Sequence, residues 1–426
     1  MKVAFYTLGC KVNQYDTQMM SEKLSAAGFS VCDFNESPDI YIINTCTVTQ
    51  VSDKKSRNTI SKARRSNPDA IIVVCGCFSQ VSPEDAAAMD GVDIVIGTRN
   101  RADIVYYIND FLKNGKQIID VSRVTDIESE NITDFSEKTR AILKIEDGCR
   151  NFCSYCLIPF ARGNIVSKPI EQIVSEATAV ANSGYKEIVL TGIHLSSYGK
   201  EFGNINLADA IEAVSEVEGI KRIRLGSLEP TIITPEFVKR IKNNEKLCPS
   251  FHLSLQSGCD KTLKAMNRKY TAMQYREAVT LLRENLNDCA FTTDVIVGFP
   301  GETDGDFIES MTFVDEIGFA KVHIFPYSKR KGTKAASMDG QLTNQVKKER
   351  EHKLLQVELK NRTAFMESFI GKNQDVLVEK CSEGICNGFT KNYLQVKFKG
   401  EALLCNKIVK VKITGADENN LYAALD

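Results

Sequence analysis

The sequence predicts an α/β chain in three parts: a parallel α/β domain over residues 1–125, a partial (β/α)6 barrel over 135–365 and a small β-barrel over 368–426. Three observations carry this. Strand-like and helix-like runs alternate over the first 125 residues and again from Thr139, the signature of parallel sheets. A charged, Lys/Glu-rich stretch without Gly or Pro, Leu342 to Phe369, then reads as one connecting helix. Beyond Gly371 the pattern becomes short strands separated by turns, over about 55 residues. A length of 426 residues allows about three domains, each with its own core.

In the first part, Lys2–Thr7, Asp39–Asn44, Ala70–Cys75 and Val92–Gly97 are short, β-branched-rich strand runs. The runs Asp16–Ala27, Val48–Arg65, Pro83–Met89 and Arg101–Lys113 read as the intervening helices. Cys10, Cys46 and Cys77 each fall just past a strand. Ligand sites in open α/β sheets form outside the carboxyl ends of the strands, so these three thiols are expected to converge as a metal-cluster site. The alternative is three unrelated small residues in turns. Cys75, inside an apolar run, and Cys32 read as structural. The helix after Cys46 carries Lys54, Lys55, Arg57, Lys62, Arg64 and Arg65 against Asp53, either as a solvated face or as a patch for a phosphate backbone.

The central part offers six strands: Ala141–Ile145, Glu187–Leu190, Arg222–Leu225, Phe251–Leu255, Thr292–Val297 and Lys321–Phe325. Helices are expected near Pro169–Ser183, Leu207–Val217, Pro235–Asn243, Lys261–Met266, Ala272–Glu284 and Asp304–Ile317. Chemistry belongs at the carboxyl ends of such strands. There, after the first strand, stand Cys149, Cys153 and Cys156 in a C-x3-C-x2-C spacing. Three thiolates this close on one loop can wrap an iron–sulfur cluster, which normally wants four ligands, and so leave one iron open. A zinc site would need a fourth ligand, and the next His or Cys is His194. A reduced cysteine-rich turn is the other plain alternative. The later strand ends carry Thr191-Gly192, Ser227-Leu228-Glu229-Pro230, Gln256-Ser257-Gly258 and Gly298-Phe299-Pro300-Gly301-Glu302 on the same face. Their glycines let backbone approach a ligand, and Glu229 can accept from ribose hydroxyls. Arg268 reads equally as a carboxylate partner or a surface arginine, and His194, His252 and His323 as satisfied core histidines.

The tail offers strands at Asp375–Glu379, Tyr393–Phe398, Ile408–Thr414 and Leu421–Leu425. It is either a structural plug or an RNA-binding module, the latter favoured by Lys391, Lys397, Lys399, Lys407, Lys410 and Lys412. A net charge of −1 excludes a wholly basic nucleic-acid coat but leaves regional patches open. No apolar run reaches the roughly 20 residues of a membrane span, and Met1–Phe5 reads as a strand and not as a signal peptide. A cytoplasmic chain is expected. Its 14 cysteines should then be reduced or metal-bound and not disulfide-paired, with Cys381, Cys386 and Cys405 outside the chemistry.

With both cysteine triplets placed, the chain resembles the methylthiotransferase family of radical-SAM enzymes over nearly its whole length. The carrying motifs are Thr7–Asn13, Asn44–Val48, Gly76–Gln80, Gly148–Gly163, His252–Thr271, Asp294–Glu302 and Phe325–Ser328. The resemblance implies a methylthiotransferase domain, a radical-SAM partial barrel and a C-terminal TRAM domain. It implies two 4Fe–4S clusters: one on Cys149, Cys153 and Cys156 that holds S-adenosylmethionine (SAM), and an auxiliary one on Cys10, Cys46 and Cys77 that carries the sulfur. Tyr155, Gly192, Glu229, Gln256, Arg268 and Gly298 are the expected cofactor-binding residues, Arg268 through the methionine carboxylate. By the family's chemistry one SAM methylates the carried sulfur, and another is reductively cleaved to a radical that activates an inert C–H bond. Thr7–Asn13, Gly192–Leu195 and Arg224–Pro230 look like the branch acting on N6-threonylcarbamoyladenosine beside the tRNA anticodon. The alternatives are the branches acting on N6-isopentenyladenosine or on a ribosomal-protein aspartate. The implied partners are the tRNA anticodon stem-loop, an electron donor and a sulfur donor, with no membrane. A threonylcarbamoyl substrate carries a carboxylate, so an Arg or Lys is expected in its pocket.

Overall fold

The computed structural model describes residues 1–48, 50–122, 132 and 139–426. The N-terminal part is one six-stranded parallel sheet of β1 (Lys2–Thr7), β2 (Ser30–Val31), β3 (Ile40–Thr45), β4 (Ile71–Gly76), β5 (Ile94–Ile96) and β6 (Ile118–Asp120). Its spatial order is β2-β1-β3-β4-β5-β6. Every position of β3 and β4 is buried, as in strands covered on both faces, which is why their sequences are apolar without alternation. The sequence reading missed β2 and β6: two and three residues long, at the sheet's two edges, they carry too little pattern. The first helix begins at Lys11 and not at Asp16, so Cys10 is its N-cap residue. The domain limits expected at 125 and 135 lie outside the described residues.

The barrel strands are β7 (Arg140–Lys144), the small antiparallel ribbon β8 (Glu146–Asp147) and β9 (Val166–Ser167), then β10 (Glu187–Thr191), β11 (Arg222–Leu225), β12 (Ser250–His252), β13 (Ala290–Val297) and β14 (Lys321–Pro326). Two parallel sheets, β7-β10-β11 and β12-β13-β14, meet through parallel bridges Ile223–Leu247 and Leu228–Leu253, giving a six-stranded open barrel. β12 stops before the expected Leu255. The Leu255 N–H goes to the Thr293 hydroxyl instead of a carbonyl, and Gln256 turns into the left-handed region at φ 67°.

The helix Asn344–Glu367, capped by the Thr343 hydroxyl, leads to a closed barrel. Its strands are β15 (Asn373–Ser382), β16 (Ile385–Thr390), β17 (Gln395–Lys399), β18 (Ile408–Ala416) and β19 (Leu421–Leu425), in order β15-β16-β17-β19-β18. Four strands were expected; β16 was missed because Asn387-Gly388 reads as a turn. The expectation that no cysteines pair is also corrected. Cys381 and Cys386 face each other across the β15–β16 hairpin and form a disulfide, a pairing invisible without β16. Arg222 and Arg224 dock this barrel on the central one, donating to the carbonyls of Asp375, Phe389 and Lys391. Among the described residues, no helix is long and apolar enough to cross a membrane.

A buried charge cluster joins the first two parts. Asp16 accepts from Lys144 Nζ at 2.6 Å, and its other oxygen meets Arg101 Nη1 at 2.8 Å and Arg162 Nη1 at 3.2 Å. Arg162 also reaches Asp147 at 3.0 Å and the side-chain oxygen of Asn13 at 2.5 Å. None of the five charged residues is more than 2 % exposed. Burial alone would raise both carboxyls. Arg101, Lys144 and Arg162 outweigh it at Asp16, and the same cations with Arg99 hold Asp147 at about 2.

Asp16→Ala would leave three buried cations without their shared anion and should cost about 3–5 kcal/mol, read as a lower urea midpoint. An unchanged midpoint would contradict this packing. The cluster also makes stability acid-sensitive. Asp147 titrates at about 2 in the fold, against about 3.9 unfolded. Its contribution is therefore whole above about pH 4 and fades as pH falls toward about 2. Asp147→Asn should flatten that part of the stability–pH curve.

Candidate functional site

β1, β3 and β4 are neighbours in the sheet, and the turn after each carries one cysteine of the first triplet. Cys46 and Cys77 are buried, and Cys10 stands exposed at the rim. Gly9 lets the first turn lie on the second: at φ 99°, a Cβ there would stand 2.9 Å from both Cβ and Sγ of Cys46. Burial pushes the Cys46 thiol up to about 11, and the nearby Cys77 and Cys10 add to the shift. Cys77 is also raised by burial, against the pull of the nearby Arg162 guanidinium. Three thiolates in this setting need a compensating positive centre. Thiolates gathered at one sheet edge are the donors an iron–sulfur cluster takes.

The second triplet lies on the loop after β8. Burial drives Cys149 and Cys156 up to about 12, with the Cys153 thiol adding at both. Cys156 Sγ accepts the Ile158 N–H at 3.4 Å, and Cys153 Sγ accepts from Arg268 Nη1 at 3.2 Å. Hydrogen bonds to sulfur of this kind tune an iron–sulfur centre. The donor chemistry of both triplets thus fits the implied clusters.

Around Cys153 the structure assembles several of the expected cofactor-binding residues. Arg268 is no surface arginine: its side chain is 6% exposed, stacks on Tyr270 and bonds Glu229 at 2.7 Å. Glu229 also accepts from the Asn151 amide at 2.8 Å and stands 3.4 Å from His194 Nε2. Its carboxyl is held below the usual range, burial being outweighed by His194 and Arg268. Tyr155 packs edge-on against Phe299, within the electrostatic reach of Cys153 and Arg268. At Gly192 a Cβ would collide with the Glu146 carboxylate, which accepts the His194 N–H at 2.7 Å. Burial first, then Asp147 and Glu201, raise the Glu146 carboxyl well above the usual range. Gly298 is tied elsewhere, its missing Cβ making room for the stem of Lys347. Gln256 bridges to Val295 with its backbone in the left-handed region.

Sequence reasoning missed Glu146, Asn151 and Arg162, although all three stand within two residues of, or inside, the motif Gly148–Gly163. It also misplaced two histidines. His252 and His323 line a cavity of about 670 Å³ together with Cys10, Lys11, Arg224, Asp294 and Tyr393. His252 bonds Thr292 through Nδ1 at 2.9 Å, while its buried Nε2 has no hydrogen bond. Three parts of the chain therefore build one hollow beside Cys10. The basic helix after Cys46 is divided: Lys54 and Arg57 line a second cavity with Lys329, Lys331 and Phe160, whereas Lys62 and Arg64 bind Asn35 and Asp93.

This fold with a three-cysteine loop at the first barrel strand defines a radical-SAM protein. Residues 143–314 match the Radical SAM superfamily, and residues 2–97 the Uncharacterized protein family UPF0004. The fold is shared with the radical SAM methyltransferase TsrM from Kitasatospora setae, at TM-score 0.59 and 15% identity, over 79% of this chain and 77% of that one. The threonylcarbamoyladenosine tRNA methylthiotransferase MtaB of Bacillus subtilis (strain 168) is 41% identical over 97% of this chain and 94% of its own. Its Thermotoga maritima namesake is 40% identical, over 96% and 94%. The tRNA-2-methylthio-N(6)-dimethylallyladenosine synthase of Finegoldia magna is 33% identical, over 96% and 90%. The chain belongs to the methylthiotransferase family of radical-SAM enzymes.

The packing of Gly9 on Cys46 has a direct test. A left-handed alanine costs about 1–2 kcal/mol, and that should be the whole cost of Gly28→Ala, where nothing lies within 4 Å. Gly9→Ala adds a collision and should lower the melting temperature further. Equal shifts would contradict the close approach.

Proposed function

We propose that this protein methylthiolates carbon C2 of N6-threonylcarbamoyladenosine beside the anticodon of tRNA, giving the 2-methylthio derivative. The observation that carries this reading is the hollow beside Cys10, whose wall is shared by Cys10 and its neighbours, the barrel strands and the C-terminal barrel. The greater identity to relatives named for the threonylcarbamoyl substrate favours that branch over the dimethylallyl one.

In this account Cys149, Cys153 and Cys156 hold the SAM cluster, and Cys10, Cys46 and Cys77 the auxiliary cluster. Bound there, the clusters and SAM supply radical C–H activation and a methylated sulfur for transfer. The chain's own residues position and shield. Arg268 and the Ile158 N–H fix two sulfurs of the SAM loop. Of the expected cofactor-binding residues, Tyr155, Gly192, Glu229 and Arg268 are the ones gathered to serve a SAM pocket, with Glu229 held ionised by His194 and Arg268. Arg162 acts electrostatically on Cys77, bonds Asn13 of the first helix and bonds Asp147 on the strand that leads into the SAM loop, so the two cluster sites keep a fixed relation. The parts divide as 1–125 for sulfur, 135–365 for the radical and 368–426, a TRAM-like barrel, for RNA through Tyr393 and the flanking lysines. An electron donor and a sulfur donor complete the reaction, which takes place in the cytoplasm.

The test is anaerobic reconstitution followed by mass spectrometry of tRNA nucleosides after incubation with SAM and reductant. The wild type should hold about eight irons, and Cys10→Ala and Cys153→Ala about four each. Cys153→Ala should lose SAM cleavage and product together; Cys10→Ala should keep part of the cleavage and lose the methylthio product. About four irons in the wild type, or tRNA without a methylthio product, would overturn the reading.

A further inference from the structure

The residue after Cys10 is Lys11, which opens the helix Lys11–Ala26. It lines the hollow beside Cys10 and also an adjoining cavity of about 510 Å³, with Arg224 and Tyr393 common to both. The corner around it is short of anions. Arg224 is bonded to Glu187 at 2.9 Å, Arg222 stands 3.6 Å and Arg140 3.8 Å from that same carboxylate, and Arg140 also pairs with Glu379. Arg140 Nη1 is buried without a hydrogen bond. Two carboxylates therefore serve three arginines. Lys11 and Lys380 add two more cations at the smaller cavity, and among the described residues Lys11 has no ion-pair or hydrogen-bond partner, although it is exposed to the cavities.

We propose that Lys11 receives the carboxylate of the amino acid linked to N6 of the substrate adenosine, and so separates acidic from apolar N6 substituents. The inference rests on the function proposed above and names the residue that reads its substrate. The geometry is that of the base itself. C2 and C6 flank N1 on one edge of adenine, so a base that presents C2 to the Cys10 side presents its N6 group to the same wall. One residue from Cys10, a lysine side chain is placed to meet that group. Arg140 and Arg224 lie behind it, both stacked on Tyr393, at 5.0 Å and 4.4 Å from its ring centre. An incoming carboxylate would complete a corner that the protein leaves positive. An apolar substituent would desolvate Lys11 and give it nothing, which is the stronger source of discrimination.

The test uses the full-length, reconstituted enzyme and two anticodon stem-loops, one bearing threonylcarbamoyladenosine and one its carboxamide analogue. Methylthio product formation gives kcat/KM, and fluorescence anisotropy of labelled RNA gives Kd. The wild type should prefer the acid by about 10- to 100-fold, mostly in KM and Kd. Lys11→Gln should bring that ratio close to one, and Lys11→Arg should keep a clear preference for the acid. The binding arm needs no turnover, so it decides the question even for a variant that loads iron poorly. A wild type indifferent to the carboxylate, or a Lys11→Gln variant with the wild-type ratio, overturns the role of Lys11 while methylthiolation of the RNA still upholds the function. A wild type that methylthiolates neither RNA overturns both.

Discussion

The structure depends on the charges gathered at Asp16. Its three cations come from three places: Arg101 from the first sheet's domain, Lys144 from the first barrel strand and Arg162 from the segment after the SAM-loop cysteines. Arg162 continues to Asp147, two residues before Cys149, and to Cys77. A buried ionic cluster is a poor source of net stability, because desolvation takes back much of the Coulomb gain. Its value is positional. Each partner tolerates only a narrow geometry, so the first sheet's domain and the barrel, which share one apolar core, acquire one orientation, and with it two cysteine triplets acquire a fixed separation.

That orientation creates the hollow beside Cys10. The barrel alone is open, since its two three-stranded halves touch only through isolated bridges between β11 and β12. The first sheet alone presents Cys10 to solvent. The C-terminal barrel, held by Arg222 and Arg224, closes the side with Phe389, Asn392 and Tyr393. A site built from three units suits a reactant as large as an RNA loop, and its polar wall includes His252, 3.4 Å from Asp294, and His323.

Much of this was legible in the sequence, for physical reasons. Strands buried on both faces must be apolar throughout, which marked β3 and β4, and parallel connection demands a helix between strands, which fixed the order of elements. The strand-end rule put Cys10, Cys46 and Cys77 on one edge before any coordinates. What stayed hidden was set by long-range docking. Arg268 read equally as a carboxylate partner or a surface arginine, because nothing local shows that Glu229, in a different βα unit, pairs with it. His252 and His323 looked like core because the cavity beside them needs a third unit to exist. β16 was hidden by Asn387-Gly388, and with it the Cys381–Cys386 bridge. Lys11 carried no signal of its own; only the arginines brought in by β7 and β11 show that it lacks an anion.

The central claim is that the chain holds two separate iron–sulfur centres, the first of which opens on the hollow beside Cys10. It is tested most directly by the iron anomalous signal from crystals of the anaerobically reconstituted enzyme. The account predicts two separate iron peaks, one bounded by Cys10, Cys46 and Cys77 and one by Cys149, Cys153 and Cys156, with the first opening on the cavity lined by His252, His323 and Tyr393. A single peak, or a first centre that opens to bulk solvent away from that cavity, would contradict it.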